Sequence, residues 1–385
     1  MTLKLSKRHE WVLQSEIRSM SIECARMGGI NLSQGICDLA VPTAVVQGAK
    51  AAIDNGINAY TRYDGLAELR TAIAQKHKKF NSIDADPETE IVVSAGTTGA
   101  LYCACLALLD PGDEVVLFEP FYGYHVSTLI ATGAVPVYVR TEPPDWSFST
   151  RQLEDVVTPQ TRGIIINTPA NPSGKVFTLD ELQTIAAFAE RHDLFVFTDE
   201  IYEHFVYDGR RHISPATLPG MQKRTITIAG VSKTFSITGW RIGYCICEAR
   251  WAQTIGYFND LVYVCAPAPL QMGAAQGLLE LDQDYYFKIS DEYQSKRDKI
   301  CDALTFVGLN PHVPQGAYYI LADMSAIPGT NSKERAMNLL RETGIACVPG
   351  EAFFHDDAGE HLARFCFAKE DTILDDACLR IAKCK

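Results

Sequence analysis

From about residue 45 to residue 285, short β-rich apolar runs alternate with amphipathic helical patterns. This alternation is typical of repeated βα units that fold around a mainly parallel sheet. The clearest predicted strands are Ile91–Ser94, Val115–Phe118, Gly163–Ile166, Leu194–Thr198 and Thr225–Ala229. Thr178 and Glu181 have the spacing of a capping box, and they precede an apolar-periodic stretch that runs to about His192. The sequence therefore predicts α/β architecture.

The pattern changes after about residue 285. It predicts a long charged helix, a strand, a second helix and a second strand, over Asp291–Leu304, Gly316–Asp323, Lys333–Thr343 and Ala363–Ala368. A chain of 385 residues is also long for one ordinary core. We therefore predict a large domain over residues 45–285 and a smaller α+β domain made of residues 1–44 and 286–385.

Composition narrows the classes of protein and partner. A net charge of −12 argues against a nucleic-acid-binding surface, and the basic run of Lys76, Lys78 and Lys79 is interpreted as the solvated face of a helix. No segment approaches the roughly 18 uninterrupted apolar residues of a membrane helix, so no membrane partner is expected. The start at Met1 lacks the apolar stretch of a signal peptide, which favours a cytoplasmic protein.

The twelve cysteines do not indicate a metal site. There is no Cys-x-x-Cys, and the close pairs Cys103/Cys105 and Cys245/Cys247 lie in apolar runs, where cysteine behaves as a small hydrophobic residue. We therefore predict free thiols and no bound metal.

Ligands of open α/β sheets bind beyond the carboxyl ends of the strands, so the loops after the predicted strands are the places to search. The first loop, Gly96-Thr97-Thr98-Gly99, begins a predicted helix over Ala100–Leu109. Its backbone N–H groups and hydroxyls and the helix dipole could hold an anion such as phosphate. Taken alone, such a turn more often only starts a helix.

The next three loops supply an aromatic ring, an amide and a carboxylate. Tyr122 could stack on a flat ligand, Asn171 lies in a stiff Asn- and Pro-rich loop, and Asp199 could pair with a protonated pyridine nitrogen. Packing, a turn and a cap are the ordinary interpretations of these residues. The fifth loop is more specific, because Lys233 lies among small residues and Arg241 follows eight positions later.

The stretch Gly230–Gly243 resembles the lysine signature of the class I and II pyridoxal-phosphate aminotransferases. The likeness is closest to the kynurenine, glutamine and methionine types, through Asn58–Gly65, Asn167–Pro172, Gln315–Tyr319 and Arg364–Phe367. It covers nearly the whole chain. The resemblance implies the fold of pyridoxal-phosphate (PLP) enzymes of fold type I, with a mainly parallel seven-stranded sheet flanked by helices and a smaller α+β domain.

The resemblance also implies a role for each matching residue. Lys233 would carry pyridoxal 5′-phosphate as a Schiff base and act as general base, with Asp199 and Tyr202 as the other catalytic residues. The implied cofactor contacts are Gly96, Thr97, Thr98, Tyr122, Asn171, Asp199, Tyr202, Ser232, Lys233, Arg241 and, across a homodimer interface, Tyr60. The implied substrate contacts are Gly35, Asn171 and Arg364, whose guanidinium would bind the α-carboxylate. Gly230 stands where many relatives have a phosphate-binding serine.

The implied activity is transamination between an L-amino acid, of aromatic or thioether type, and a 2-oxo acid. A dicarboxylic substrate is the alternative, and the side chains expected to decide are Ile36, Cys37, Tyr63 and those near Tyr122. Carbon–sulfur β-lyases, racemases and cyclopropane-forming synthases on the same fold use the same cofactor contacts, so the fold does not settle the reaction. PLP-dependent transcription regulators carry an additional DNA-binding module, for which this chain has little room.

Overall fold

The computed structural model describes residues 3–5 and 15–384. The helices are α1 Glu16–Met27, α2 Thr43–Asp54, α3 Ala67–Phe80, α4 Gly96–Leu108, α5 Gly123–Thr132, α6 Thr150–Glu154, α7 Leu179–Arg191, α8 Ala249–Tyr263, α9 Ala268–Glu280, α10 Gln283–Phe306, α11 Ser332–Thr343 and α12 Asp371–Ile381. The strands are β1 Ile30–Asn31, β2 Ile91–Ala95, β3 Glu114–Glu119, β4 Val135–Arg140, β5 Thr161–Asn167, β6 Phe195–Asp199, β7 Thr225–Gly230, β8 Ile242–Ile246, β9 Asn310–His312, β10 Tyr319–Asp323, β11 Ile345–Ala346, β12 Val348–Pro349 and β13 Leu362–Cys366.

A seven-stranded sheet forms the centre of the molecule, in the order β2-β8-β7-β6-β5-β3-β4. Only β8 runs antiparallel to its neighbours. The prediction of an α/β fold with a mainly parallel sheet is therefore confirmed, and the five predicted strands are β2, β3, β5, β6 and β7. The sequence pattern did not identify β4, which is an edge strand that contains Pro136, or β8, which directly follows the lysine loop.

Helix α7 illustrates why the crossover helices could be predicted. The Thr178 hydroxyl accepts a hydrogen bond from the Glu181 N–H, and the Glu181 carboxylate accepts one from the Thr178 N–H, which completes the predicted capping box. The apolar face buries Leu182, Ile185 and Phe188 in a cluster beneath the central sheet. Burial of each such side chain is worth about 1.5–3 kcal/mol, so packing rather than the cap holds the helix in place.

A four-stranded antiparallel sheet, β12-β13-β10-β9, forms a second layer, and β1 pairs with β11 beside it. Met20 and Leu32 from the amino-terminal region pack in one cluster with Ile320 and Phe365 of this sheet. These contacts bring the first described helix to the carboxyl-terminal part of the chain. The division into residues 45–285 and the two flanking segments stays a prediction.

The interpretation of Lys76, Lys78 and Lys79 as one solvated face was wrong for Lys76. Lys78 and Lys79 are exposed, but Lys76 is buried, forms an ion pair with Glu203 and donates a hydrogen bond to Asn81 Oδ1 at 2.9 Å. A buried ammonium is tolerated only when it is paired. The acidic partner comes from a distant loop, so a local run of charges could not indicate it.

The cysteines behave as predicted from their apolar surroundings. Cys103, Cys105, Cys245 and Cys247 are buried free thiols. Within residues 3–5 and 15–384, no group of His, Cys, Asp and Glu side chains is arranged to hold a metal ion. In the same residues, no helix has the length and apolarity needed to cross a membrane.

Candidate active site

A cleft of about 470 Å³ opens at the carboxyl ends of the central strands, between them and the amino-terminal segment. Nearly all of the residues predicted to form the site line it, namely Gly35, Thr97, Thr98, Tyr122, Asn171, Asp199, Tyr202, Ser232, Lys233, Arg241 and Arg364. Two predicted residues do not line it. Gly96 is buried next to the Arg241 guanidinium, and Tyr60 is 83% exposed.

Lys233 extends from the loop after β7 into this cleft. Its Nζ donates a hydrogen bond to the Gly35 carbonyl at 3.1 Å and lies 5.9 Å from the centre of the Tyr318 ring. Burial lowers the pKa of the Lys233 ammonium below its ordinary value, because desolvation disfavours the charged form. A lysine in this state is closer to serving as a nucleophile and base than an exposed one.

Asp199 ends β6 and is held from two sides. One carboxylate oxygen lies 2.9 Å from His125 Nε2, and the Asp199 carbonyl accepts a hydrogen bond from the Asn167 side chain at 2.9 Å. His125 is buried in the first turn of α5, where its ring also meets the Tyr122 ring edge-on at 5.2 Å. The sequence analysis missed His125. The signal was its position three residues after Tyr122, which puts both side chains on one face of a helix start.

Gly96 creates space for a cationic group at the start of α4. A Cβ at Gly96 would collide with the Arg241 guanidinium, and Gly96 also has a φ of +76°, which favours glycine. Arg241 itself has a φ of +58° and donates a hydrogen bond from Nη1 to the Thr238 carbonyl at 2.9 Å. With Thr97 and Thr98 in the first turn of α4, this arrangement combines free N–H groups, hydroxyls and a guanidinium, which suits a phosphate.

Gly230 lies at the end of β7 in a tight space. A Cβ there would lie 3.1 Å from the Ile242 carbonyl oxygen and 3.2 Å from Ile201 Cδ1. A serine at this position would require its neighbours to shift. The packing therefore gives a local reason for glycine at this position.

Arg364 on β13 is held in a fixed orientation although its side chain is only about 1% exposed. Its Nη1 donates to Asn171 Oδ1 at 2.8 Å, and its Nη2 donates to the Ser33 carbonyl at 2.6 Å. The guanidinium lies 4.2 Å from the centre of the Tyr319 ring, over its face. Nε has no hydrogen-bond partner among the described residues. The sequence analysis assigned no role to Ser33 or Tyr319, because both are far from Arg364 in the sequence and meet it only in the folded chain.

Three tyrosines fix the wall between Lys233 and Arg364. The Tyr202 and Tyr319 hydroxyls lie 3.0 Å apart, and burial raises the pKa of the Tyr202 phenol. The Tyr318 hydroxyl donates to the Gly35 carbonyl at 3.2 Å, the same oxygen that Lys233 contacts. A Cβ at Gly35 would collide with the Tyr319 hydroxyl. Gly35 is therefore required for the backbone to approach this wall.

The side chains expected to set specificity divide into two groups. Ile36 lines the cleft, but Cys37 is buried behind it, with its Sγ 3.6 Å from the Lys233 carbonyl. Tyr63 lies outside the cleft, where its ring meets Tyr257 at 5.5 Å. Cys37 and Tyr63 therefore do not line the cleft of this chain. Cys37 points away from it because adjacent residues of an extended segment point to opposite sides.

Nine further residues line the cleft without having been given a role from the sequence. Four of them, from segments that the family motifs do not cover or beside Tyr122, are Ile17, Arg18, Gln34 and Tyr124. Ile17 and Arg18 belong to α1, and the sequence analysis assigned no helix to that region. Ile17 and Arg18 lie at the cleft because α1 packs on the second sheet, and the local sequence does not indicate that packing.

The chain was compared with known proteins. The family model for aminotransferase class I and II matches residues 28–381. Kynurenine–oxoglutarate transaminase 3 of Mus musculus is 37% identical over 380 residues, which cover 90% of this chain and 83% of the mouse protein. Aromatic-amino-acid aminotransferase 2 of Thermococcus litoralis is 37% identical over 384 residues, which cover 99% and 98% of the two chains. The structure of N-succinyldiaminopimelate aminotransferase from Mycobacterium tuberculosis superposes with a TM-score of 0.96 at 35% identity, covering 99% of this chain and all of that one.

Proposed function

Because this chain belongs to the class I and II aminotransferase family, we propose that its cleft is the active site and binds pyridoxal 5′-phosphate. The activity is PLP-dependent transamination, the transfer of an amino group between an amino acid and a 2-oxo acid. The observation that carries the site assignment is the convergence of Lys233, Asp199, Arg241 and Arg364 on one cleft.

The residues of the cleft fit this cofactor at each of its chemical groups. Gly96, Thr97, Thr98, Ser232 and Arg241 suit the phosphate, since they supply N–H groups, hydroxyls and a positive charge beside a backbone with no Cβ in the way. The carboxylate of Asp199 suits a protonated ring nitrogen, and the Tyr122 ring suits stacking on the heterocycle. Asn171 and Tyr202 are the proposed hydrogen-bond partners of the ring hydroxyl.

The cofactor supplies an electron sink for the bond that breaks at the substrate α-carbon. Lys233 is the proposed attachment point and the general base that moves a proton at that carbon. Its lowered pKa supports this role, because a base must be neutral before it accepts a proton. Asp199 keeps a proton on the ring nitrogen, and His125 fixes the orientation of the Asp199 carboxylate.

Arg364 is the proposed α-carboxylate site. Its guanidinium faces the cleft, while Asn171 and the Ser33 carbonyl hold it in place. Guanidinium and carboxylate match as a two-pronged pair, which fixes both the position and the orientation of the substrate. Gly35 allows the backbone to come close to the same substrate group.

Replacing Arg364 by alanine is expected to weaken substrate binding much more than cofactor binding. Loss of a charge-assisted contact is worth about 1.5–3 kcal/mol, which raises KM by roughly 10- to 150-fold. Steady-state kinetics and a PLP titration measure the two effects. Arg364→Lys is the matched variant, because it keeps the positive charge but loses the two-pronged guanidinium geometry. It should recover only part of the substrate affinity. Unchanged KM values for every competent amino acid in Arg364→Ala would move the carboxylate site elsewhere.

An aromatic or large apolar amino acid is the proposed donor. Ile17, Ile36 and Tyr124 line the cleft beside Arg364 and offer apolar contact to such a side chain. The Thermococcus litoralis relative, named for aromatic amino acids, supports the same choice. A panel of amino donors against 2-oxoglutarate and pyruvate, followed by oxo-acid product, tests it. Turnover confined to small or acidic donors would contradict the proposal.

No specific observation favours a carbon–sulfur β-lyase. The relatives and the solved structure compared with this chain are named as aminotransferases. A lyase would release pyruvate and ammonia from a cysteine conjugate without a second oxo acid, so the same panel separates the two reactions.

A homodimer with shared active sites is the proposed assembly. Tyr60 is 83% exposed in the single chain, although it is expected to reach a phosphate. Nearby, the exposed Leu261 and Tyr257 of α8 add apolar surface to the same side, where Tyr257 contacts Tyr63. An exposed aromatic patch of this kind suits an interface with a second copy. A cytoplasmic location is likewise proposed, and the free thiols are what supports it.

If Tyr60 completes the neighbouring site, dimerisation and cofactor retention are thermodynamically linked. Dilution should then release PLP as the dimers separate, and Tyr60→Phe should weaken PLP binding without changing the unfolding temperature of the cofactor-free protein. Sedimentation combined with cofactor absorbance measures both. Tyr257→Phe is the matched control, because it removes a hydroxyl from another exposed tyrosine, one that is not expected to contact the cofactor. Monomers that hold PLP as tightly as dimers would contradict the shared site.

A further inference from the structure

One short turn carries two of the residues that face the cleft. Asp199 ends β6, Tyr202 follows three residues later, and both line the cleft. The Glu203 N–H donates a hydrogen bond to the Glu200 carbonyl at 3.0 Å, which closes the turn between them. Whatever holds this turn in place therefore sets the position of the Asp199 carboxylate and the Tyr202 phenol together.

Glu200 points from this turn into the interior, away from the cleft. It is fully buried and does not belong to the cleft lining. Its Oε1 accepts hydrogen bonds from the Thr198 hydroxyl at 2.7 Å and the Ser214 hydroxyl at 2.8 Å. Its Oε2 lies 2.6 Å from His212 Nε2. A buried carboxylate is costly unless several donors satisfy it, so these contacts fix Glu200 in one orientation.

His212 is oriented for this contact. Its side chain is 6% exposed, and its Nδ1 is buried with no hydrogen-bond partner among the described residues. The ring therefore donates from Nε2 to Glu200. His212 and Ser214 lie in the loop that precedes β7, whereas Thr198 belongs to β6. Glu200 thus joins the start of the turn to a separate segment of the chain.

The far end of the turn has its own support. The Glu203 side chain is 4% exposed, forms an ion pair with Lys76 and accepts a hydrogen bond from Asn81 Nδ2 at 2.7 Å. Burial alone would raise the pKa of the Glu203 carboxyl, but the charge of Lys76 outweighs it and holds this pKa below its ordinary value. Glu203 therefore ties the end of the turn to α3, while Glu200 holds the end beside Asp199.

We propose, building on the proposed transamination, that Glu200 is a positioning residue. Held by His212, it fixes from behind the turn that presents Asp199 and Tyr202 to the cofactor. Glu200 touches neither cofactor nor substrate, so its effect passes through those two side chains. The α-carboxylate site is held separately, because Asn171 and Ser33 orient Arg364. Loosening the turn should therefore slow the chemical step and weaken PLP binding more than it weakens substrate binding.

Glu200→Gln tests this role, because it keeps the size of the side chain but places an amide against the His212 ring. We expect kcat to fall about tenfold with less than about a twofold change in KM, within the roughly 100-fold that a misplacement of 1 Å can cost. PLP titrated into the cofactor-free variant should bind more weakly, and the absorbance maximum of the bound cofactor should shift. Steady-state kinetics, the titration and spectra measure these effects.

Glu154→Gln is the matched control. Glu154 also contacts a histidine, with its Oε2 2.9 Å from His192 Nε2, but it does not line the cleft and is not part of the turn. Its kcat, PLP affinity and cofactor spectrum should equal those of the wild type. Thermal unfolding of both variants without cofactor measures the loss of stability separately.

The double variant Asp199→Ala/Glu200→Gln distinguishes positioning from a general loss of stability. If Glu200 acts through the turn, its substitution should add little once the Asp199 carboxylate is absent, so the double variant should react nearly as fast as Asp199→Ala alone. Single-turnover rates measure this. Effects of the two substitutions that multiply fully would overturn the role of Glu200.

Two variants of His212 give the same test without changing Glu200. His212→Leu removes a donor and should lower kcat and PLP affinity, whereas His212→Gln offers an N–H and should recover part of both. Wild-type kcat and PLP affinity in Glu200→Gln and His212→Leu would overturn the proposal. Absence of transamination by the wild-type chain with any donor and acceptor would instead overturn the proposed function, and the PLP titrations would still test the turn.

Discussion

Replacing Lys233 by alanine is expected to abolish transamination. The substitution removes both the covalent attachment point of the cofactor and the base at the substrate α-carbon, and loss of a general base alone costs about 10²–10⁴-fold. The residual rate should therefore lie at or below about 0.01% of the wild-type rate. The long-wavelength absorbance of the bound cofactor should also disappear. Turnover assays and absorbance spectra of the purified variant measure the two effects.

The fold of Lys233→Ala should remain intact, because the residue lies in a loop and its ammonium makes one hydrogen bond, to the Gly35 carbonyl. Thermal unfolding of the cofactor-free proteins is the appropriate comparison, since bound ligand would itself stabilise the wild type. Lys223→Ala, at an exposed position, is the control for loss of a lysine charge. Substantial transaminase activity in Lys233→Ala would remove the basis of the site assignment.

Replacing Asp199 by alanine is expected to slow transamination by about 10³-fold, the upper range for loss of one preorganised electrostatic contact. The physical reason is that the ring nitrogen loses the anion that keeps it protonated, and an unprotonated ring is a poor electron sink. His125 would also lose the partner that lies 2.9 Å from its Nε2. Single-turnover rates measure the chemical step separately from product release.

Two further variants distinguish charge from shape at Asp199. Asp199→Asn keeps the size and can still hydrogen-bond to His125, but it carries no negative charge, so it should be nearly as slow as Asp199→Ala. Asp199→Glu keeps the charge and should recover part of the rate. If Asp199→Asn reacted at close to the wild-type rate, the role of the carboxylate would be positional rather than electrostatic.

The sequence predicted which residues line the cleft best where one element delivers one residue. Thr97 and Lys233 follow β2 and β7, Asp199 ends β6, and parallel strands bring their carboxyl ends to one edge. Their convergence could therefore be inferred from the alternation of strands and helices before any contact was known. The resemblance to a family then assigned the role of each residue.

The sequence did not predict the residues that hold Asp199 and Arg364 in place. His125, Ser33 and Tyr319 come from three separate elements and meet Asp199 or Arg364 only through tertiary packing. The direction of the Cys37 side chain could not be predicted either, because Cys37 follows Ile36 directly but points behind the cleft. Lys76 is a further case, because its buried partner Glu203 lies far along the chain.

The central claim, that this cleft carries out transamination in two halves, is tested most directly by mixing the purified holoenzyme with an amino acid alone. We expect the cofactor absorbance to change once, with release of one oxo acid per subunit, and to return when a 2-oxo acid is added. Ammonia should not appear. Continuous formation of oxo acid and ammonia from the amino acid alone, or no spectral change with any amino acid, would contradict this account.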